Sequence, residues 1–168
     1  HRLNVMQNHK LPSLKKPEIL FLSFFGVGFF PKAPGTAASL ATLPFLFMLG
    51  AINPPVVFFI PPLVILTIIS SFVAEIVQQK YKLKDPSWIV IDEVLGITVA
   101  WFFILKHNLI HLFIIFGLFR FFDIFKIEPA RYIDKNVKHG SGVILDDIIS
   151  GLYAGLAYRA IHYFGILP

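Results

Sequence analysis

Apolar residues run in long blocks along this chain, broken by short polar stretches rich in proline, glycine and lysine. The first block, Ile19–Phe30, is too short to cross a bilayer and contains Gly26 and Gly28. It reads as an interfacial or re-entrant segment. Pro31-Lys-Ala-Pro-Gly-Thr36 is a turn-rich loop. Spanning helices are predicted over 36–52, 56–77, 88–105, 109–125 and 143–164. Pro44 lies inside the first, and Pro61-Pro62 predicts a kink in the second. Asn53-Pro54-Pro55 forms a tight turn, 78–87 a polar loop, 106–108 a short turn and 126–142 a longer basic loop. The fold class is therefore an all-α integral membrane protein: a bundle of about five transmembrane helices with a re-entrant or interfacial N-terminal segment. Residues 1–16 are polar and basic and read as a flexible arm, without the apolar stretch of a secretory signal. Residues 17–168 form a single transmembrane helical domain.

Composition supports the membrane reading. Of the 168 residues, 56% are hydrophobic and 19 are Phe, and mean hydropathy is +0.72. That is too apolar for a soluble domain of this size. The net charge of +5 would suit nucleic acid, but the basic residues sit in short loops between apolar blocks. The positive-inside rule accounts for them better. Arg2, Lys10, Lys15, Lys16 and Lys32 precede the first helix. Lys80, Lys82 and Lys84 occupy one loop; Lys126, Arg131, Lys135 and Lys138 occupy another. Both loops and the N-terminus are placed in the cytoplasm, leaving Lys106 and Arg159 on or near the far side. The chain has no cysteine, which removes disulfides, Cys-based zinc sites and Cys-nucleophile phosphatases.

Against this background five carboxylates stand out: Asp92 and Glu93, Asp123, and Asp146 and Asp147, each group flanked by apolar sequence. An ionised carboxylate at the edge of hydrocarbon is costly without a partner, so such residues mark a pathway or a site. The predicted topology puts all five at one depth, beneath the cytoplasmic surface. Asp92-Glu93 fall in the first two turns of the third helix, Asp123 in the last turn of the fourth, and Asp146-Asp147 in the first turn of the fifth. Few cations lie nearby, so the missing partner is a divalent metal, and an all-oxygen ligand set suits Mg²⁺. Simpler roles stand beside this one. Asp146-Asp147 would also complement a helix dipole, and Asp85 before Pro86 reads as a cap or turn residue. Glu75 is a weaker candidate. Among the six histidines there is no metal-ligand spacing, and His139 reads as a loop residue.

Several other residues suit an anion. Arg120 and Asp123 are spaced i, i+3 and form either an intrahelical pair or a division of labour, with Asp123 on metal and Arg120 on phosphate. Lys126, one turn on, either snorkels or attracts an anionic head group. Gly35, Thr36 and Ser39 open the first helix, where free backbone N–H groups seat anions or where the hydroxyls act as ordinary caps. Gly140-Ser141-Gly142 is a flexible turn or a close approach to ligand. Metal, phosphate-binding loop and lysines at head-group level together imply a membrane-embedded phosphate ester, hydrolysed by metal-assisted attack of water. The sequence motifs of aspartyl-phosphate phosphatases, histidine-dependent lipid phosphatases and CDP-alcohol phosphotransferases are missing. Two other classes stay open: a divalent-cation transporter or channel using the acids as an ion path, and a structural subunit using them for helix pairing.

Four stretches, taken in order, resemble the phosphatidylglycerophosphatase A family. They are Gly26-Val-Gly28…Pro31-Lys-Ala-Pro-Gly-Thr36…Ser39; Asp85-Pro86…Ile89-Val-Ile-Asp-Glu93…Gly96; Phe119-Arg-Phe-Phe-Asp123…Lys126…Pro129; and Gly140…Gly142-Val-Ile-Leu-Asp-Asp147…Gly151. They extend over about 24–157. Ala38 stands where the family usually has Gly, Ile127-Glu128 separates Lys126 from Pro129, and Ser141 replaces a Gly; none of these is a proposed ligand. The resemblance implies a Mg²⁺-dependent enzyme of the bacterial inner membrane, multi-pass, with its site facing the cytoplasm. Its substrate would be phosphatidylglycerol phosphate, its products phosphatidylglycerol, the precursor of cardiolipin, and inorganic phosphate. Asp92, Glu93, Asp123, Asp146 and Asp147 would hold one or two Mg²⁺, with Glu93 or Asp147 as base. Arg120, Lys32, Lys126 and the Gly35–Ser39 helix start would hold the phosphate.

Overall fold

The computed structural model describes residues 13–52, 55–83, 86–130, 132 and 140–166. Expectations for residues 1–12, Asn53, Lys84, Asp85, Arg131, Lys135, Lys138 and His139 lie outside the described residues. Among those described there are helices and no strands. In chain order they are α1 (Pro17–Leu22), α2 (Pro34–Ile52), α3 (Ile60–Tyr81), α4 (Ile91–Trp101), α5 (Leu109–Phe125) and α6 (Gly140–Tyr163), with 3₁₀ turns at Val27–Phe29 and Val56–Phe58.

The span pattern is met in part. Among the described residues, two stretches are long and apolar enough to cross a bilayer: Pro34–Ile52 and Val56–Tyr81. The second is almost wholly unburied. Ile65, Ile68, Phe72 and Ile76 on it are exposed, a surface suited to lipid. The region 88–105 is not one spanning helix. Only Ile91–Trp101 is α-helical, about 16 Å at 1.5 Å per residue, far short of a hydrocarbon core of about 30 Å. Pro61-Pro62 does not kink a helix; the two residues lie in the first turn of α3, where a missing N–H costs no helical bond.

The short N-terminal elements fold back onto the bundle. The Val90 N–H donates to the Leu22 carbonyl at 2.9 Å, joining the end of α1 to the lead-in of α4. A Cβ at Gly28 would overlap the Trp88 carbonyl, and Phe29 stacks on Trp88 at 5.7 Å. Only a residue without a side chain permits that approach. At the N-cap of α1, the Lys16 ammonium donates to the Tyr81 hydroxyl at 2.5 Å, tying α1 to the end of α3.

α6 is the central helix, packed chiefly on α4 and then on α5 and α3. Small residues at the crossings let these helices approach closely. A Cβ at Gly151 would overlap the Gly96 carbonyl, and one at Gly155 would overlap the Phe103 ring. Around this crossing, Ile97, Trp101, Ile115, Phe119, Ala154 and Tyr158 form one buried cluster. Ile19, Leu22, Val77, Trp88, Leu95 and Ile144 form a second. At the end of the bundle where α5 starts, the Tyr158 hydroxyl lies 2.6 Å from His111 Nδ1 and accepts from the Leu105 N–H.

Candidate active site

The start of α4, the end of α5, the first turn of α2 and the second and third turns of α6 meet around a cavity of about 280 Å³. All five carboxylates line it: Asp92, Glu93, Asp123, Asp146 and Asp147. So do Arg120, Lys126 and Gly35. Residues separated by more than fifty positions thus converge on one cavity.

Asp123 falls in the last turn of α5 as expected, but the other four carboxylates sit at other positions in their helices than expected. α4 begins at Ile91, because Val90 is bent away from helical geometry (φ −137°, ψ 10°) and its N–H is committed to Leu22. Asp92 and Glu93 therefore occupy the first turn, where free N–H groups and the helix dipole favour anions. α6 begins at Gly140, earlier than expected, so Asp146 and Asp147 fall at its seventh and eighth residues. The dipole acts within the first turn and does not account for them.

The geometry divides the five. Asp92, Glu93 and Asp147 each offer an oxygen, and the three oxygens lie within 4.8 Å of one another. Asp92 is 7% and Asp147 4% exposed, so the like charges have little water between them. Asp92 Oδ1 and Glu93 Oε2 are buried without a hydrogen-bond partner, an arrangement that costs energy unless something cationic joins it. The donor set is oxygen alone, which fits Mg²⁺ or another hard divalent ion. Asp146 and Asp123 have protein cations instead. Lys126 Nζ stands 2.5 Å from Asp146 Oδ2, and Arg120 Nη1 stands 2.6 Å from Asp123 Oδ2. Adjacent residues on a helix point about 100° apart, which is why Asp146 meets Lys126 while its neighbour Asp147 meets Asp92 and Glu93.

Arg120 keeps donor capacity. Its contact with Asp123 is an ion pair off the line of a hydrogen bond, and its buried Nε and Nη1 have no hydrogen-bond partner. An anion in the cavity would find those donors. Lys126 is held at the C-cap of α5 in left-handed geometry (φ 39°), which turns the chain so that its ammonium reaches α6.

The proposed anion seat is only partly at the cavity. A Cβ at Gly35 would overlap the Glu93 carboxylate, so the first turn of α2 presses directly on the acidic group. Thr36 and Ser39 are not in the lining. Ser39 is buried and its hydroxyl donates to the Gly35 carbonyl at 2.9 Å, a helix back-bond rather than a cap or a ligand contact. Lys32 is exposed and outside the lining. Glu75 is likewise elsewhere, accepting from Gln79 at 3.2 Å. Ala33, Pro34, Pro86 and Ile89, which the motif stretches contain without a role, line the cavity too, as does Ser87. The only sequence signal for Ser87 is its place beside the Asp85-Pro86 turn.

These features define an all-helical protein with a carboxylate-rich, partly cationic cavity at one end of its bundle. The family model described as Phosphatidylglycerophosphatase A matches residues 20–162, and the chain belongs to that family; it is a phosphatase, a phosphoric monoester hydrolase. It is 31% identical to Phosphatidylglycerophosphatase A of Haemophilus influenzae, over 90% of this chain and 93% of the relative. It is 29% identical to the Escherichia coli protein of the same name, over 92% and 90%. It is 31% identical to a Bacteroides thetaiotaomicron protein provisionally named phosphatidylinositol-3-phosphatase, over 84% and 92%. No solved structure matches.

Proposed function

We propose that the protein hydrolyses phosphatidylglycerol phosphate to phosphatidylglycerol and inorganic phosphate, with Mg²⁺, at the cytoplasmic face of a bacterial inner membrane that it crosses several times. The observation that carries this reading is the meeting of Asp92, Glu93 and Asp147 with Arg120 in one cavity. Lys126, and Pro86 and Ser87 shortly after Lys80 and Lys82, line the same cavity, supporting a cytoplasmic site. The names of two relatives supply the substrate; that of the third keeps the phosphoinositide as a comparison.

Asp92, Glu93 and Asp147 would hold the metal. When bound, Mg²⁺ supplies a water of lowered pKa and neutralises charge on the phosphoryl oxygens. Arg120 directs Nε and Nη1 at the phosphate, where a guanidinium fork matches phosphate oxygens. Its donors are fixed before the substrate arrives, so stabilising the developing charge needs little reorganisation. The proton of the attacking water passes to Glu93 Oε2, the phosphorus–oxygen bond to the glycerol breaks, and the leaving oxygen takes a proton from solvent. Lys126 fixes Asp146, and Arg120 fixes Asp123. The acyl chains stay in the bilayer.

The test is phosphate release by the purified protein from phosphatidylglycerol phosphate and phosphatidylinositol 3-phosphate, with EDTA and after return of Mg²⁺. Release that persists without divalent metal, or in Asp92→Asn and Asp147→Asn, ends the metal reading. A preference for the phosphoinositide would reassign the substrate. The ion-path alternative gains nothing from the fold: the acidic cluster occupies one end of the bundle, whereas a path needs acids along its length.

A further inference from the structure

A second cavity, of about 350 Å³, lies between α2 and α5. Its lining is Leu40, Leu43, Pro44, Phe47, Leu109, Leu112 and Phe113, without a single hydrogen-bonding side chain. The same two helices bound the acidic cavity, through Gly35 on α2 and Arg120 and Asp123 on α5. They run antiparallel, so α2 descends from the site as α5 rises towards it. Leu40 and Phe47 are five and twelve residues beyond Gly35, about 7 and 18 Å along the helix axis. Phe113 is seven residues before Arg120, about 10 Å. At 3.6 residues per turn, Leu40, Pro44 and Phe47 share one face of α2, and Leu109, Phe113, Phe116 and Arg120 share one face of α5. On α5, one face therefore leads from Arg120, at the phosphate-binding end, to Phe113 and Leu109 in the groove. Pro44 has no N–H to give the Leu40 carbonyl, which loosens α2 beside the groove.

We infer that this groove binds an acyl chain of the phospholipid substrate while its phosphate monoester occupies the acidic cavity. The inference rests on the phosphatase reading above and adds to it the part of the substrate that sets affinity. A track of this length suits a long fatty chain. Burial of remote methylenes would align the phosphoryl group with Arg120, which makes the groove a positioning surface.

Leu40 and Phe113 are half-exposed in the groove wall, so Leu40→Trp and Phe113→Trp narrow it without adding volume to the core. For long-chain phosphatidylglycerol phosphate, KM should rise about tenfold, as expected for stranding roughly two methylenes. For a short-chain analogue with the same head group it should stay unchanged. Equal changes on both substrates, or none on either, would overturn the inference. A photoreactive group midway along the chain of the long substrate, used with the unaltered protein, should label peptides of α2 and α5. Labelling spread over the exposed face of α3 instead would also overturn it. Failure of the unaltered protein to release phosphate from either substrate would remove the phosphatase reading, while the labelling pattern would still decide the groove.

Discussion

Lys126 Nζ lies 2.5 Å from Asp146 Oδ2 and so joins the C-cap of α5 to the second turn of α6. The Asp146 side chain is 2% exposed and that of Lys126 29%. The pair stands between a surface bridge, worth little, and a wholly buried one, whose breaking is severe. Lys126→Met should therefore destabilise the protein by roughly 1–3 kcal/mol, read as a lower unfolding midpoint in detergent. It should also cut kcat/KM, because Asp146 adjoins Asp147 in the chain. Lys126→Arg should recover most of the stability. An unfolding midpoint unmoved by Lys126→Met would show that the contact does not bind α5 to α6.

The division of the carboxylates predicts unequal metal dependence. Asp147 shares a point with Asp92 and Glu93, whereas Asp123 is paired with Arg120. Asp147→Asn should raise the Mg²⁺ concentration giving half-maximal phosphate release by about 10–100-fold or more. Asp123→Asn, if it only supports the site, should stay at or below that range, which is typical of residues behind the ligands. A Mg²⁺ titration of each variant checks this. A larger shift for Asp123→Asn would move the metal towards α5.

The convergence of the acids was legible because loop charge fixes which helix ends share a side, and helix order then fixes their level. Asp123 followed from the clean 109–125 block, whose helix is observed over the same residues. The starts of α4 and α6 were not legible. α4 is delayed to Ile91 by a bond from Val90 to Leu22, a contact across distant sequence that no local pattern encodes. α6 starts early through Gly140-Ser141-Gly142, residues that read as a turn. Ser39 misled for a different reason: the same hydroxyl serves as a cap at a helix start or as a back-bond one turn in, and the true start at Pro34 selects the second.

Glycine positions predict opposite outcomes within one protein. At Gly151 a Cβ would overlap the backbone carbonyl of Gly96, which cannot swing away. Gly151→Ala should separate α4 from α6, costing about 1–3 kcal/mol or more. The acids of those two helices would part with it, so activity should fall too. At Gly117, in the middle of exposed α5 surface, a Cβ would meet nothing within 4 Å. Gly117→Ala should raise stability by about 0.5–1 kcal/mol through helix propensity alone, with activity unchanged. Thermal unfolding of both variants in the same detergent checks the pair.

Gly35 separates catalysis from folding. The atom that a Cβ there would displace belongs to the Glu93 carboxylate, the far end of a side chain that can rotate. Gly35→Ala should therefore leave the unfolding midpoint close to that of the unaltered protein. The displaced carboxylate would no longer meet Asp92 and Asp147, and its Oε2 would leave the position proposed for proton transfer. A misplacement of this size at a proton acceptor or ligand should lower kcat about 10²-fold or more. Glu93→Gln should show a comparable loss, and the double variant should be no worse than Glu93→Gln alone, since both changes act through one carboxylate. Additive losses in the double variant would mean that Gly35 serves the substrate directly, by backbone approach to the phosphate, rather than by making room for Glu93.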